Sequence, residues 1–174
     1  MSDINSYSYQ QIHDKRLAES ICVAAIVKVM SFNPNKMTVN VQPLSKHLEN
    51  GKYEPQPPIL AVPIACTKIG GFIMRPWVNV GDIGLVVYLD HDMDSSVSGG
   101  KESEPLTERN HSTTDAVFIG GVVEGVYEVK DIPPESFSIS TDDGKICLSI
   151  TKNGIKIKGN VEVTGSITAS EGLN

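Results

Sequence analysis
The chain has only three cysteines in 174 residues, Cys22, Cys66 and Cys147, an odd number, widely spaced, each inside an apolar strand pattern. That spacing argues against a disulfide framework or a zinc site and reads as small buried hydrophobes. Long apolar runs are missing too: the longest, residues 21–27, falls far short of the ~18–20 residues of a membrane-spanning helix. Basic charge is scarce, with 15 Lys and Arg against 21 Asp and Glu and a net charge of -6, which argues against a phosphate-binding surface built on bulk charge. The opening stretch MSDINSYSYQQ is neither basic nor apolar, unlike a secretory signal, so synthesis in the cytosol is expected.

What is present is concentrated at the end of the chain. From 137 to 169, apolar residues alternate as Phe137/Ile139, Ile146/Leu148/Ile150, Ile155/Ile157, Val161/Val163 and Ile167/Ala169. A period of two is that of a strand with one buried face. Asp142-Asp143-Gly144, Asn153-Gly154, Gly159-Asn160 and Gly165 punctuate these runs with residues that favour tight turns. The expectation is a ribbon of four or five very short strands whose apolar face needs a partner surface. A single-chain solenoid needs about three coils of ~20 or more residues, more than this stretch supplies. Three copies around one axis, apolar residues inward, satisfy the face; extra hairpins on the preceding domain are the other reading.

Upstream, residues 9–20 are polar with Ile12 and Leu17 as sparse anchors, a short helix or a leader. Residues 21–29 alternate, turn at Asn33-Pro34-Asn35, and return through Met37, Val39 and Val41, a strand–turn–strand pair. Residues 44–58 read as a polar, Pro-bearing loop. Residues 59–66 form a strand whose Pro63 places it at an edge or bulge. Gly70-Gly71 and Gly81-Asp82 are turns, the second leading into the apolar strand 83–89 with Gly84 near its start. After the irregular segment 90–114, residues 115–119 close the domain. The expected architecture is all-β: a leader or helix (1–20), an OB-like barrel (21–121), a linker stiffened by Pro133-Pro134 (122–136), and a C-terminal short-strand, intertwined trimeric β-helix (137–174).

Catalytic chemistry finds little footing. Asp90, Asp92 and Asp94 alternate like a calcium loop, but Gly at the sixth position and Glu at the twelfth are absent, so the reading is a solvated acidic turn. His13, His47, His91 and His111 lack metal-ligand spacing. Glu102, Glu104 and Glu108 lack the apolar surroundings that raise a carboxyl pKa for general-acid work. Arg109, Asn110, His111 and Asp115 are instead candidates for fastening the long loop to the barrel. No catalytic residue, metal site or cofactor is expected. Nucleic-acid stacking on an OB surface is the weakest alternative, because the one Trp, five Tyr and four Phe have no basic cluster beside them.

Val62-Pro63-Ile64, Gly70-Gly71-Phe72, residues 81–86 (GDIGLV), Arg109-Asn110-His111 and residues 115–121 (DAVFIGG), in this order, resemble the barrel core of central spike proteins of contractile phage tails and related bacteriocins, in particular the short baseplate-protein-V type. The resemblance implies a homotrimer in the virion, assembled in the host cytoplasm. Its barrels would sit beneath the tail hub, and its β-helix would be driven through the host envelope when the sheath contracts. On this reading Phe137, Ile139, Ile146, Leu148, Ile150, Ile155, Ile157, Val161, Val163 and Ile167 face the trimer axis. Gly70, Gly71, Gly81, Asp82 and Gly84 shape the barrel turns, and Arg109, His111 and Asp115 anchor the loop. The His-x-His metal site of many such tips is missing, which suggests a separate tip protein as a partner. A trimeric receptor- or carbohydrate-binding tail protein is the alternative. The residues expected to point outward (Lys145, Ser149, Thr151, Lys156, Lys158, Glu162, Thr164) offer no aromatic and a single acid for it.

Overall fold
The computed structural model describes residues 10–11, 13–14, 21–49, 51–122 and 133–168. The chain divides into two units, Met1–Val123 and Glu124–Asn174. Of the expected leader helix, residues 10, 11, 13 and 14 have helical backbone, and the rest lies outside the described residues. Most of the expected linker lies outside them as well.

In the first unit the alternating segments become strands. β1 (Ala24–Asn33) buries Val27 and Val29 and leaves Ile26 and Lys28 outside. The Asn33 side chain accepts hydrogen bonds from the backbone N–H of Asn35 and Lys36, both at 3.1 Å, which turns the chain into β2 (Thr38–Pro43). β2 buries Val39 and Val41 and pairs antiparallel with β1. β5 (Ile59–Pro63) adds to the far side of β2 through a bulge, where the Asn40 side chain accepts the Ala61 N–H at 2.8 Å and Ala61 takes φ 55. β8 (Ile83–Tyr88) and β9 (Ala116–Gly121) complete a five-stranded sheet of order β5-β2-β1-β8-β9. The sheet curls until its end strands meet: Ile64 forms a parallel bridge with Phe118, and the Ala65 N–H donates to the Phe118 carbonyl at 2.8 Å. Val27, Val29, Val39, Val41, Val86 and Phe118 fill the inside of the curl.

Two hairpins project from this sheet. β3 (Lys46–Glu49) and β4 (Lys52–Pro55) pair within the segment read from sequence as a loop, which corrects that expectation. The hairpin has no buried face, so no apolar alternation marks it; its signal was the turn dipeptide Asn50-Gly51. β6 (Thr67–Ile69) and β7 (Phe72–Met74) are joined by Gly70 and Gly71 at φ 57 and 87, the left-handed pair that a two-residue hairpin turn demands. The long segment between β8 and β9 contains one short helix, α1 (Asp94–Gly99).

The second unit is an antiparallel meander of β10 (Phe137–Ser140), β11 (Cys147–Thr151) and β12 (Gly154–Lys158). Between β10 and β11, Asp143 accepts the Thr141 hydroxyl and the Lys145 backbone N–H at 2.8 and 3.1 Å. Its other oxygen meets Lys145 Nζ at 2.8 Å. Among the described residues there are three strands here, where the alternation predicted four or five. Residues 160–168, with Val161, Val163 and Ile167, are not in a strand, because a ladder needs a neighbouring backbone and no described segment pairs with them.

Candidate functional site
Register builds the most distinctive surface of the second unit. Phe137 lies opposite Ile150, and Ile150 opposite Ile155; one step along, Ile139 lies opposite Leu148, and Leu148 opposite Ile157. Directly opposed residues share a face, so six large apolar side chains form two rows of three. All six are between 37% and 69% exposed. Ile146 flanks them beside Gly159. Val161, Val163 and Ile167 follow the last strand and are exposed.

The other face has Ser138, Ser149 and Lys156 in one row and Ser140, Cys147 and Lys158 in the next. Here Ser149 and Cys147 are buried, at 2% and 4% exposure. Ser149, expected to point to solvent, is thus a correction. The alternation is as read, but within one chain the polar face is covered at its centre, at Cys147 and Ser149, and the apolar face is bare. A sheet bare on its apolar face is not the usual end state of a soluble chain.

In the first unit, Arg109 gathers three carboxylates. Its Nε donates to Asp115 Oδ2 at 3.2 Å and its Nη2 to Asp115 Oδ1 at 3.3 Å. The same Nη2 lies 3.2 Å from Asp92 Oδ2 and 3.8 Å from Asp94. Asp115 is 1% exposed and Asp92 5%, so the solvated-turn reading of residues 90–94 fails at Asp92. The Asp94 backbone N–H at 3.0 Å and the Thr107 hydroxyl at 2.9 Å, with the Arg109 charge, hold the Asp92 carboxyl below the usual range. No local pattern reveals the burial of Asp92, since its side-chain partners Thr107 and Arg109 lie far along the chain. The loop is further tied by His91 Nδ1 to Asn110 Oδ1 at 2.8 Å and by the His111 N–H to the Asp90 carbonyl at 3.3 Å. His111 has φ 49, with its ring 3.5 Å from the Asp90 carboxylate.

The remaining predicted turn residues sit as follows. Gly81 has φ 101, and Asp82 accepts the Asn79 N–H at 2.8 Å, closing the turn before β8. Gly84 lies under the Phe118 ring. Burial, then the nearby Cys22, pushes the Tyr88 hydroxyl pKa up. Glu102, Glu104 and Glu108 are exposed. Among the described residues no group of three or more His, Cys, Asp or Glu side chains could hold a metal ion. The most extensive exposed apolar surface described above is the two rows on β10, β11 and β12.

The family model described as phage protein Gp138 N-terminal domain matches residues 26–121, from β1 through β9. No curated protein matches the chain.

Proposed function
The chain belongs to the phage protein family of the Gp138 N-terminal domain, and from that premise we propose that it is the structural central spike of a contractile tail baseplate. It acts as a homotrimer. Three copies of the β10–β12 sheet turn their apolar rows onto a shared axis, and the first units sit under the tail hub. The protein performs no catalysis in this role; sheath contraction supplies the work, and a stiff, three-chain shaft transmits it to the host envelope.

The observation that carries the proposal is the six-residue face of Phe137, Ile139, Leu148, Ile150, Ile155 and Ile157. Burying each such side chain is worth about 1.5–3 kcal/mol, so leaving six bare gives a strong drive to associate. The unstranded residues 160–168, with Val161, Val163 and Ile167 exposed, gain both a ladder and cover from neighbouring copies. In the first unit, the strand order β5-β2-β1-β8-β9 and the parallel meeting of β5 with β9 support an OB-type barrel.

Sedimentation equilibrium on the full chain tests the proposal. A mass of three chains at micromolar concentration is expected, and a monomer there overturns it.

A further inference from the structure
Every residue from 67 to 77 is exposed, and Ile69, Phe72, Ile73, Met74 and Trp77 among them are large and apolar. In the β6–β7 hairpin, Ile69 lies opposite Phe72 and Thr67 opposite Met74, on one face; Lys68 lies opposite Ile73, on the other. The hairpin is therefore apolar on both sides of its Gly70-Gly71 tip, with Phe72 83% exposed. A flat protein partner covers one face of such a ribbon and leaves the other wet, whereas a lipid interface surrounds it. Just beyond β7, Trp77 meets Phe32 of β1 edge-on with ring centroids 5.3 Å apart, so the segment is anchored to the sheet next to the hairpin.

Charge says which lipid. The chain carries a net charge of -6 and as a whole is repelled by an anionic surface, yet residues 55–81 contain no Asp or Glu. The bases of that segment are Lys68 and Arg75, both exposed. Among the described residues neither forms an ion pair. An acid-free segment with two uncommitted cations is complementary to phosphate-bearing headgroups.

We propose that the tip of the β6–β7 hairpin inserts into the interface of an anionic phospholipid bilayer. Ile69, Phe72, Ile73 and Met74 enter the headgroup–acyl boundary, and Lys68 and Arg75 meet headgroup phosphates. Lys68 stands on the second rung from the turn, and its long apolar stem lets the ammonium reach back to the headgroups. Strands of three residues reach about 10 Å, which matches the ~5–10 Å depth of segments that lie in this boundary. Deeper entry is opposed because the edges of a two-stranded ribbon carry backbone N–H and C=O groups without partners. The proposal concerns the first unit and is independent of the trimeric shaft.

Flotation of the full-length protein with lipid vesicles tests it. Vesicles of phosphatidylcholine mixed equally with phosphatidylglycerol should carry the protein, and vesicles of phosphatidylcholine alone should not. Trp77 is the one tryptophan, so emission should shift to the blue on binding and be quenched by lipids brominated near the headgroup. Lys68→Gln with Arg75→Gln should weaken binding about thirtyfold, roughly fivefold for each charge. Phe72→Ser should abolish it, while Leu48→Ser on the β3–β4 hairpin, also exposed, should leave it unchanged. Binding that survives Phe72→Ser overturns the proposal, and so does equal binding to both kinds of vesicle. Failure to float with either kind overturns it as well; a mass in sedimentation that then falls with Phe72→Ser assigns the hairpin to a contact between copies instead.

Discussion

Phe118 of β9 lies across Gly84 of β8, so close that a methyl group at Gly84 would overlap the ring and the Gly120 carbonyl. Phe118 is also the residue at which β5 meets β9, through the Ile64 bridge. Phe118 therefore packs its ring on Gly84 and, through its backbone, joins the two end strands where they come together. Gly84 is needed there for space, since its φ is not in the left-handed region.

Gly84→Ala should destabilise the first unit by about 1–3 kcal/mol, the usual cost of overfilling a packed core. Urea unfolding measures it. Adding Phe118→Leu to Gly84→Ala should cost less than the sum of the two single changes, because the shortened side chain makes room for the methyl. Strict additivity would show that the ring is not what excludes the methyl.

Ile150→Asp should abolish the trimer. Ile150 is the centre of its row, flanked by Phe137 and Ile155, and three copies would place three carboxylates on the axis. Sedimentation should give a monomer with near-normal strand content by circular dichroism, because Ile150 is half-exposed within its own chain.

Arg109→Ala should release the long loop while sparing the sheet. Asp115 would remain buried without its cation, and Asp92 and Asp94 would lose theirs. Limited proteolysis should then cut between residues 90 and 114 much faster than in the parent protein. Unchanged protection would mean that backbone bonds such as Leu89 N–H to the Asp115 carbonyl suffice.

The same lock sets an acid limit. The Asp92 carboxyl is held below its ordinary value, 3.8, so its contribution is complete above that pH and is lost as pH falls through the lower folded-state value. Loop protection should therefore be flat from neutrality down to about pH 4 and fall only below it. Asp92→Asn should remove most of that acid dependence. A loss of protection between pH 5 and 7 would contradict the assignment.

A chain ending at residue 123 should fold by itself, because the core of Val27, Val29, Val39, Val41, Val86 and Phe118 is drawn entirely from the first unit. It should be soluble and melt cooperatively. Aggregation of the shortened chain alone would show that the second unit is needed for folding.

Much of this protein follows from its sequence by itself. A side-chain period of two is a property of extended backbone, so the alternation at Val27/Val29, Val39/Val41 and Leu148/Ile150 determined both strand positions and face assignment before any contact was known. Gly70-Gly71 likewise determined a turn, because positive φ there is nearly free only for glycine. Tertiary structure alone decided the rest. The β3–β4 hairpin has no buried face and so leaves no apolar rhythm. The meeting of Ile64 with Phe118 and the capture of Asp92 by Thr107 and Arg109 depend on how far the sheet curls and where the loop returns. Such contacts join residues distant along the chain through backbone geometry, and geometry of that range has no local signature. Where the β10–β12 sheet is covered was also decided in three dimensions: register placed the aliphatic rows together, and within one chain it is Ser149 and Cys147 of the central strand, on the other face, that are buried.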